Sequence, residues 1–566
     1  TEGNDYIDGQ GSDRDHINYI YSIEDINFNG VDANLETGIV IGKHINSGIT
    51  PPLFTDTLVD IERIAGSRFD DSLIGTSGDN DFDGTEGNDY IDGQGGWDEV
   101  KYYWSLEDPN FNGVYVDLMA ERAFGKDGNN DPLVNPLFTD TLINIEHIQA
   151  SRFDDTLLGS ADDNRFYGSE GNDYIDGRNG WDYVGYYWDI TDPNFNGLDV
   201  DLNTDIVVGR HIDGISTLFT DTLSNIESVE GSSFDDTFTG NANGNYFNGH
   251  EGLDQLGYDW TIEVPDFNGV DVDLNSRTVT GRHIDGSILF TDSFDNIEQF
   301  AGSKFDDTLT GGFGDDHLSG GEGVDILEGG SGSDHLDGGD GMPDQADYHN
   351  DFTGTGITVT MEDPKSITVI DGYGFTDTLI NIEWIRGTDY VDTFMGDGRF
   401  MIYEGGDSGD FINAGSPQQN NGKIASYWFD PLLSGTTGIT ANLNSANHYN
   451  EVFVTDGWGN TDTLVNIEGI SGSAYDDTLT GKDNKFTNLI GGQGNDLMDG
   501  GAVGFTPGDS GDDGNTVAYV MDAERTPGDA FNGVDVTLTW DGTTLEGTAT
   551  DGWGNTDTLI NFNGVV

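Results

Sequence analysis

The chain has no cysteine, which excludes a disulfide framework and any thiolate metal site. Basic charge is scarce: 21 Lys and Arg stand against 105 Asp and Glu, a formal charge of -84 that opposes nucleic acid as a partner. The 13 prolines lie near loops such as Pro51, Pro52 and Pro132. There is no apolar i, i+3, i+4 stripe for a long helix, no run long enough to span a membrane and no visible signal peptide. No H-E-x-x-H helix, P-loop or dinucleotide fingerprint is present. The string GDSGD at Gly406 and Gly508 matches the nucleophile segment of a serine protease, but no partner His segment supports a triad.

What is abundant is glycine, 84 of 566 residues, and acid. Such charge with 34% hydrophobic residues would suggest disorder, yet aromatics make up 11% and the apolar residues recur at regular positions. Folding conditional on neutralising the acid follows. Carboxylates and main-chain carbonyls suit a hard divalent cation, calcium or magnesium. Halophilic solvation, the other use of surplus acid, would spread carboxylates without ligand spacing, whereas here they sit in register.

An Asp-Thr-Leu-like step recurs at Asp56, Asp140, Asp221, Asp292, Asp377, Asp462 and Asp557, and in the first six copies a second aspartate follows fifteen residues later, at Asp71, Asp155, Asp236, Asp307, Asp392 and Asp477. The chain is a repeat protein. The steps divide it into a partial first repeat 1–55, repeats 56–139, 140–220, 221–291, 292–376 and 377–461, and a C-terminal 462–566 with a partial seventh. From Gly66 it reads GSRFDDSLI, GTSGDNDFD, GTEGNDYID, GQGGWDEVK: nine-residue units with Asp or Asn sixth and an apolar residue eighth. The pattern is strongest from Gly302, as GSKFDDTLT, GGFGDDHLS, GGEGVDILE, GGSGSDHLD.

This is close to G-G-x-G-x-D-x-U-x, and the chain here resembles the RTX (repeats-in-toxin) family of secreted calcium-binding proteins. The resemblance implies an all-β fold, an elongated right-handed parallel β-solenoid (a calcium β-roll) of about seven repeats. Two nonapeptides would make one coil, so residues eighteen apart stack, and the eighth residue of each unit would point to the core. In the family a calcium ion sits between such stacked turns. Carried over residue by residue, the ligands are Asp5, Asp71, Asp89, Asp98, Asp155, Asp173, Asp182, Asp236, Asp254, Asp307, Asp316, Asp325, Asp334, Asp477 and Asp496, holding multiple calcium ions. Asn80, Asn164 and Asn245 keep an oxygen but lose charge, which predicts weaker sites. The Asp-Thr-Leu aspartates read as degenerate turns of the same roll, turn-formers before ligands.

The other half of each repeat, such as NFNGVYVDL from Asn110, alternates after an Asn-Gly turn as a half-buried strand does, predicting broader β-coils between the metal-bound ones. A body of such coils, ~4.8 Å each, would be a rod on the order of 100 Å. Aromatic clusters at Trp97, Tyr102, Tyr103, Trp104 and at Trp181, Tyr186, Tyr187, Trp188 suit either a sugar-stacking platform or cover for the solenoid. His44, His211 and His283 each follow a basic residue and read as surface turns or neighbouring-subunit contacts rather than zinc ligands, since no second His or Cys lies at ligand spacing. The absence of cysteine fits passage through an envelope unfolded and calcium-triggered folding outside the cell. The chain starts inside a nonapeptide, which suggests a processed form or a segment of something longer. The expectation is a non-enzymatic, secreted structural protein of surface layer, matrix filament or adhesin stalk, a homo-oligomer or polymer through repeat contacts. The alternative is a polysaccharide-binding or non-catalytic module of a larger secreted enzyme, with a cell-surface polysaccharide as partner.

Overall fold

A computed structural model describes all residues except 1–2, 12–13, 21–24, 47–50, 85, 103–108, 129–135, 188–189, 259–265, 353, 364, 416–421, 430–437, 446–450, 484–486, 502–515, 518–534, 541–544, 552–553, 563 and 566. Tyr103, Trp104, Trp188, Pro132 and the second GDSGD string lie outside the described residues. Apart from one 3-10 turn, Leu443–Ser445, the regular elements described are β-strands. The chain divides into two compact units, residues 1–256 with 292–297, and residues 257–291 with 298–566.

In the first unit each nonapeptide ends in a three-residue strand whose middle side chain points inward. Leu73, Phe82, Ile91 and Val100, the eighth residues of four successive nonapeptides, are fully buried. Alternate nonapeptides fall on opposite faces: Ser72–Ile74 pairs in parallel with Tyr90–Asp92, and Asp81–Asp83 with Glu99–Lys101, each at a stagger of eighteen residues. The two faces clamp one file of apolar side chains, each contributing about 1.5–3 kcal/mol on burial. The unit is therefore a parallel β-solenoid, as the nonapeptide period requires.

One face is an uninterrupted parallel ladder. It runs from His16–Asn18 through Arg63–Ala65, Asp81–Asp83, Glu99–Lys101, His147–Gln149, Arg165–Tyr167, Tyr183–Gly185 and Ser228–Glu230 to Tyr246–Asn248. On the other face the segments between nonapeptide runs form antiparallel hairpins rather than broader coils. Phe111–Asp117 pairs antiparallel with Arg122–Asp127, which pairs antiparallel with Thr139–Ile143. The outer strands of this trio rejoin the solenoid in parallel, Phe111–Asp117 with Thr156–Leu158 and Thr139–Ile143 with Tyr90–Asp92. The Asn-Gly pair is not a turn. It makes a bulge inside the strand, with Gly113 at φ +105 where an added Cβ would collide with the Asp154 carbonyl.

The Asp-Thr-Leu steps also lie in strands, with Asp56, Asp140 and Asp221 turned inward and buried. Thr217–Ser224 pairs with Tyr174–Asp176 on the hairpin face, whereas the next copy pairs Ser293–Asp295 with Tyr246–Asn248 on the opposite face. The intervening run from Gly231 holds three nonapeptides instead of four. Since each nonapeptide is half a coil, an odd count changes face.

The second unit repeats the design. Thr308–Thr310, Ile326–Glu328, Gln345–Asp347, Trp384–Arg386, Met401–Glu404, Lys423–Ser426, Gly469–Ser471 and Asn488–Ile490 form one parallel ladder. Hairpins recur at Thr358–Asp363 with Ser366–Ile370 and at Asp535–Trp540 with Leu545–Thr550.

Candidate metal centre

The sixth-position acids line the edges of the solenoid, where the chain turns from one face to the other, and they stack into columns. Along one edge the N–H of Val31 donates to Asp71 Oδ1 at 2.6 Å, that of Asp71 to Asp89 Oδ1 at 2.9 Å, and that of Asp89 to Asp140 Oδ1 at 3.0 Å. The Tyr102 hydroxyl closes the column on Asp140 Oδ2 at 2.9 Å. The next repeat reproduces it as Asp155, Asp173 and Asp221 closed by Tyr186. On the other edge Asn80 N–H donates to Asp98 Oδ1 and Asp98 N–H to Glu146 Oε2. Asn164, Asp182 and Glu227 do the same.

Three positions in a column have different chemistry. The head aspartates Asp71, Asp155, Asp236, Asp307 and Asp477 belong to the S-x-[FY]-D-D units and have both oxygens occupied. Asp155 takes the Ser151 N–H and hydroxyl as well as the Val114 N–H, and Asp477 takes Ser473 and Ile439 in the same way. A head needs only acceptors, and an amide oxygen can serve. Asn80 and Asn164 stand at heads, where their side-chain oxygens accept the N–H groups of Thr76 and Ser160 at 2.6 Å, and Asn245 accepts that of Asn241 at 3.3 Å.

The middle aspartates give one oxygen to a column N–H and keep the other bare. Oδ2 of Asp89, Asp98, Asp173, Asp182, Asp325, Asp334, Asp344, Asp410 and Asp496 is buried without a hydrogen-bond donor. Burial pushes the carboxyl of Asp325 up to about 8 and those of Asp410 and Asp496 up to about 9. It also leads in raising Asp98, Asp182 and Asp334 to about 7, with neighbouring carboxylates adding to each. Asp89 and Asp173 rise well above the carboxylate range through burial and the acids above and below them. The tails Asp140, Asp221 and Asp377 rise to about 7 by burial, opposed by N–H and tyrosine hydroxyl donors.

Of the remaining residues read from the sequence, Asp254 receives the Asp236 N–H, and Asp316 takes the Gly312 N–H while passing its own to Asp334. Asp5 donates its N–H to the tail Asp56. Missed were Asp344 and Asp410, the glutamate tails Glu146, Glu227 and Glu383, and the tyrosines that close columns. The N-I-E triplet before each outward strand was the available signal for the glutamates.

A bare, buried carboxylate oxygen costs several kcal/mol unless something cationic meets it. Main-chain carbonyls lie close by: a Cβ built on Gly323, at φ +136, would lie 2.6 Å from the Phe305 carbonyl oxygen of the coil before it. At Gly177 it would lie 2.5 Å from Asp182 Oδ2, so the first glycine of a nonapeptide leaves room for the sixth residue's carboxylate rather than supplying a left-handed angle. Among the described residues no three acidic or imidazole side chains converge on one point. A cation here would take one carboxylate oxygen from a middle aspartate and fill its shell with carbonyls, a donor set that fits calcium. Calcium would supply the charge that lets adjacent turns stack.

The fold and these columns define an all-β parallel solenoid of calcium-binding type. The family model for the RTX calcium-binding nonapeptide repeat matches residues 60–91, 74–100, 147–184, 222–256, 294–327, 301–336, 319–341 and 488–502, and the chain carries RTX calcium-binding repeats. No curated protein matches it.

Proposed function

We propose that this is a non-enzymatic, extracellular structural protein that folds on binding calcium and assembles with further copies of itself, as a surface layer, filament or stalk does. The observation that carries the proposal is the set of middle aspartates, each with a buried oxygen that lacks a donor, repeated through both units. A fold built this way is unsatisfied where calcium is scarce and satisfied at the ~0.1–1 mM affinities of extracellular modules. RTX repeats are typical of secreted proteins, which agrees with the absence of cysteine.

The test is sedimentation velocity with negative-stain imaging, in 5 mM-scale calcium and in excess chelator. Ordered assemblies in calcium and unfolded monomer in chelator are expected. Identical monomeric particles in both would remove the assembly claim, and identical circular dichroism in both would remove calcium-dependent folding.

A further inference from the structure

The uninterrupted ladder of the first unit carries a groove of about 1120 Å³ whose lining meets the columns at Asn164. This exceeds the roughly 300–1,000 Å³ of pockets for compact ligands and suits an extended one. Its floor is a row of outward side chains on four adjacent strands, Glu99, His147, Arg165 and Tyr183, in direct register. Trp97 and Trp181 stand at the fifth position of their nonapeptides, just before the first and last of these strands, and are 47% and 50% exposed. Three strand steps separate them, roughly 14 Å along the stacking direction. Trp97 leans on the His147 ring at 5.3 Å, and Tyr102 and Tyr186 of the aromatic clusters are spent on the core.

The groove is lined by six carboxylates and four basic side chains. Lys101 is held by Glu99 and Asp81, both at 2.9 Å, and Arg63 by Asp83 at 2.8 Å. Arg165 has no carboxylate within ion-pair distance among the described residues. Its guanidinium lies over the Tyr183 ring at 4.0 Å and beside Tyr167. With 105 acids to 21 bases, an arginine left without a carboxylate, two strand steps from the strand after Trp97 and one from the strand after Trp181, is a place kept for an anion brought by a ligand.

We infer that this groove binds a linear, carboxylate-bearing polysaccharide lengthwise, with Trp97 and Trp181 stacking on sugar rings and Arg165 pairing with a uronate carboxylate between them. Stacking platforms set three strand spacings apart match a chain of repeating rings, and the unpaired guanidinium selects its charge. The site does not depend on self-assembly and would operate on a monomer.

The experiment uses the calcium-loaded full chain and isothermal titration with galacturonate and alginate hexamers, cellohexaose and a short polyglutamate. Binding of the uronate hexamers alone is expected. R165Q should weaken it roughly 10- to 100-fold, and W97A/W181A by about tenfold or more. Y174A, on the opposite face, should leave it unchanged, and the calcium-dependent circular dichroism of R165Q should match the parent. Trp97 and Trp181 adjoin column aspartates, so R165Q decides the matter if the double variant fails to fold. No binding of any hexamer, equal binding of cellohexaose, equal binding of polyglutamate, or full affinity in R165Q would each overturn the inference.

Discussion

Asp334→Asn should stabilise the metal-free protein and weaken its response to calcium. Asp334 is 2% exposed, accepts the Asp316 N–H at 2.9 Å through Oδ1 and leaves Oδ2 without a donor. Burial, then the negative charges of Asp377 and Asp316, push its carboxyl from 3.8 up to about 7. A group whose pKa is raised on folding binds its proton more tightly in the folded state. Its stabilising contribution is complete below the unfolded value near 4 and is lost as pH rises through about 7. At pH 8 the ionised side chain therefore burdens the metal-free fold by on the order of 2–4 kcal/mol, taking ~1.4 kcal/mol per pKa unit and allowing for relaxation. Asparagine removes the charge and can keep the Asp316 bond. In chelator at pH 8, urea unfolding followed by circular dichroism should show the variant more stable by about that amount. At pH 5 the gain should shrink to less than half, and it should vanish below about pH 4, where the carboxyl is protonated in the folded and unfolded chain alike. In calcium the order reverses, and titration calorimetry should count fewer ions. A variant less stable than the parent in chelator at pH 8, or one with an unchanged ion count, would refute the reasoning.

Because Asp98, Asp182, Asp325, Asp410 and Asp496 share this raised pKa, acid should partly replace calcium. In chelator, β-structure should increase as pH falls from about 9 to 5, and calcium binding at pH 7 should release protons measurable in a weakly buffered titration; a fold that loosens over that range would contradict the column chemistry. Tyr348→Phe removes the hydroxyl that Asp377 accepts at 2.9 Å in a fully buried setting, and should lower stability by about 1.5–3 kcal/mol in calcium, read from thermal or urea unfolding. Gly177→Ala places a methyl 2.5 Å from Asp182 Oδ2 and should abolish calcium uptake at that turn while leaving the other unit's transition in place, as seen in the ion count.

The solenoid was legible because its period is written in residues with one job each. Apolar residues such as Leu73 and Phe82 sit every nine positions, and the eighteen-residue stagger of Ser72 with Tyr90 follows from that spacing. The hairpins were not legible. Their alternation is the same for a strand in a broad coil and a strand in an antiparallel pair, and NFNG reads as a turn until the bulge at Gly113 is seen pressed on the Asp154 carbonyl. Nor could the sequence separate heads from middles, since Asp71 and Asp89 occupy the same sixth place. What distinguishes them is where the donors go: the Ser67 N–H and hydroxyl close off Asp71, whereas Asp89 accepts the Asp71 N–H through Oδ1 and its Oδ2 stays bare.

The hairpins also explain where the few basic residues went. At the aspartate heads Asp71, Asp155, Asp236 and Asp307 the preceding coil is replaced by a hairpin, so no second turn exists to share a cation. In four copies the hairpin brings its own: Lys43, Lys126, Arg210 and Arg282 each donate to the main-chain carbonyl of the residue before the head, Asp70, Asp154, Asp235 and Asp306. The later hairpin strands Ser366–Ile370 and Glu451–Thr455 run instead into Asp371 and Asp456, whose side chains cap their own turns through the N–H groups of Phe375 and Asn460. Positive charge is thus built covalently into the early heads and would be left to metal between stacked coils. An ion count below the number of sixth-position acids is the consequence, with heads such as Asp155 contributing structure and middles such as Asp173 contributing affinity.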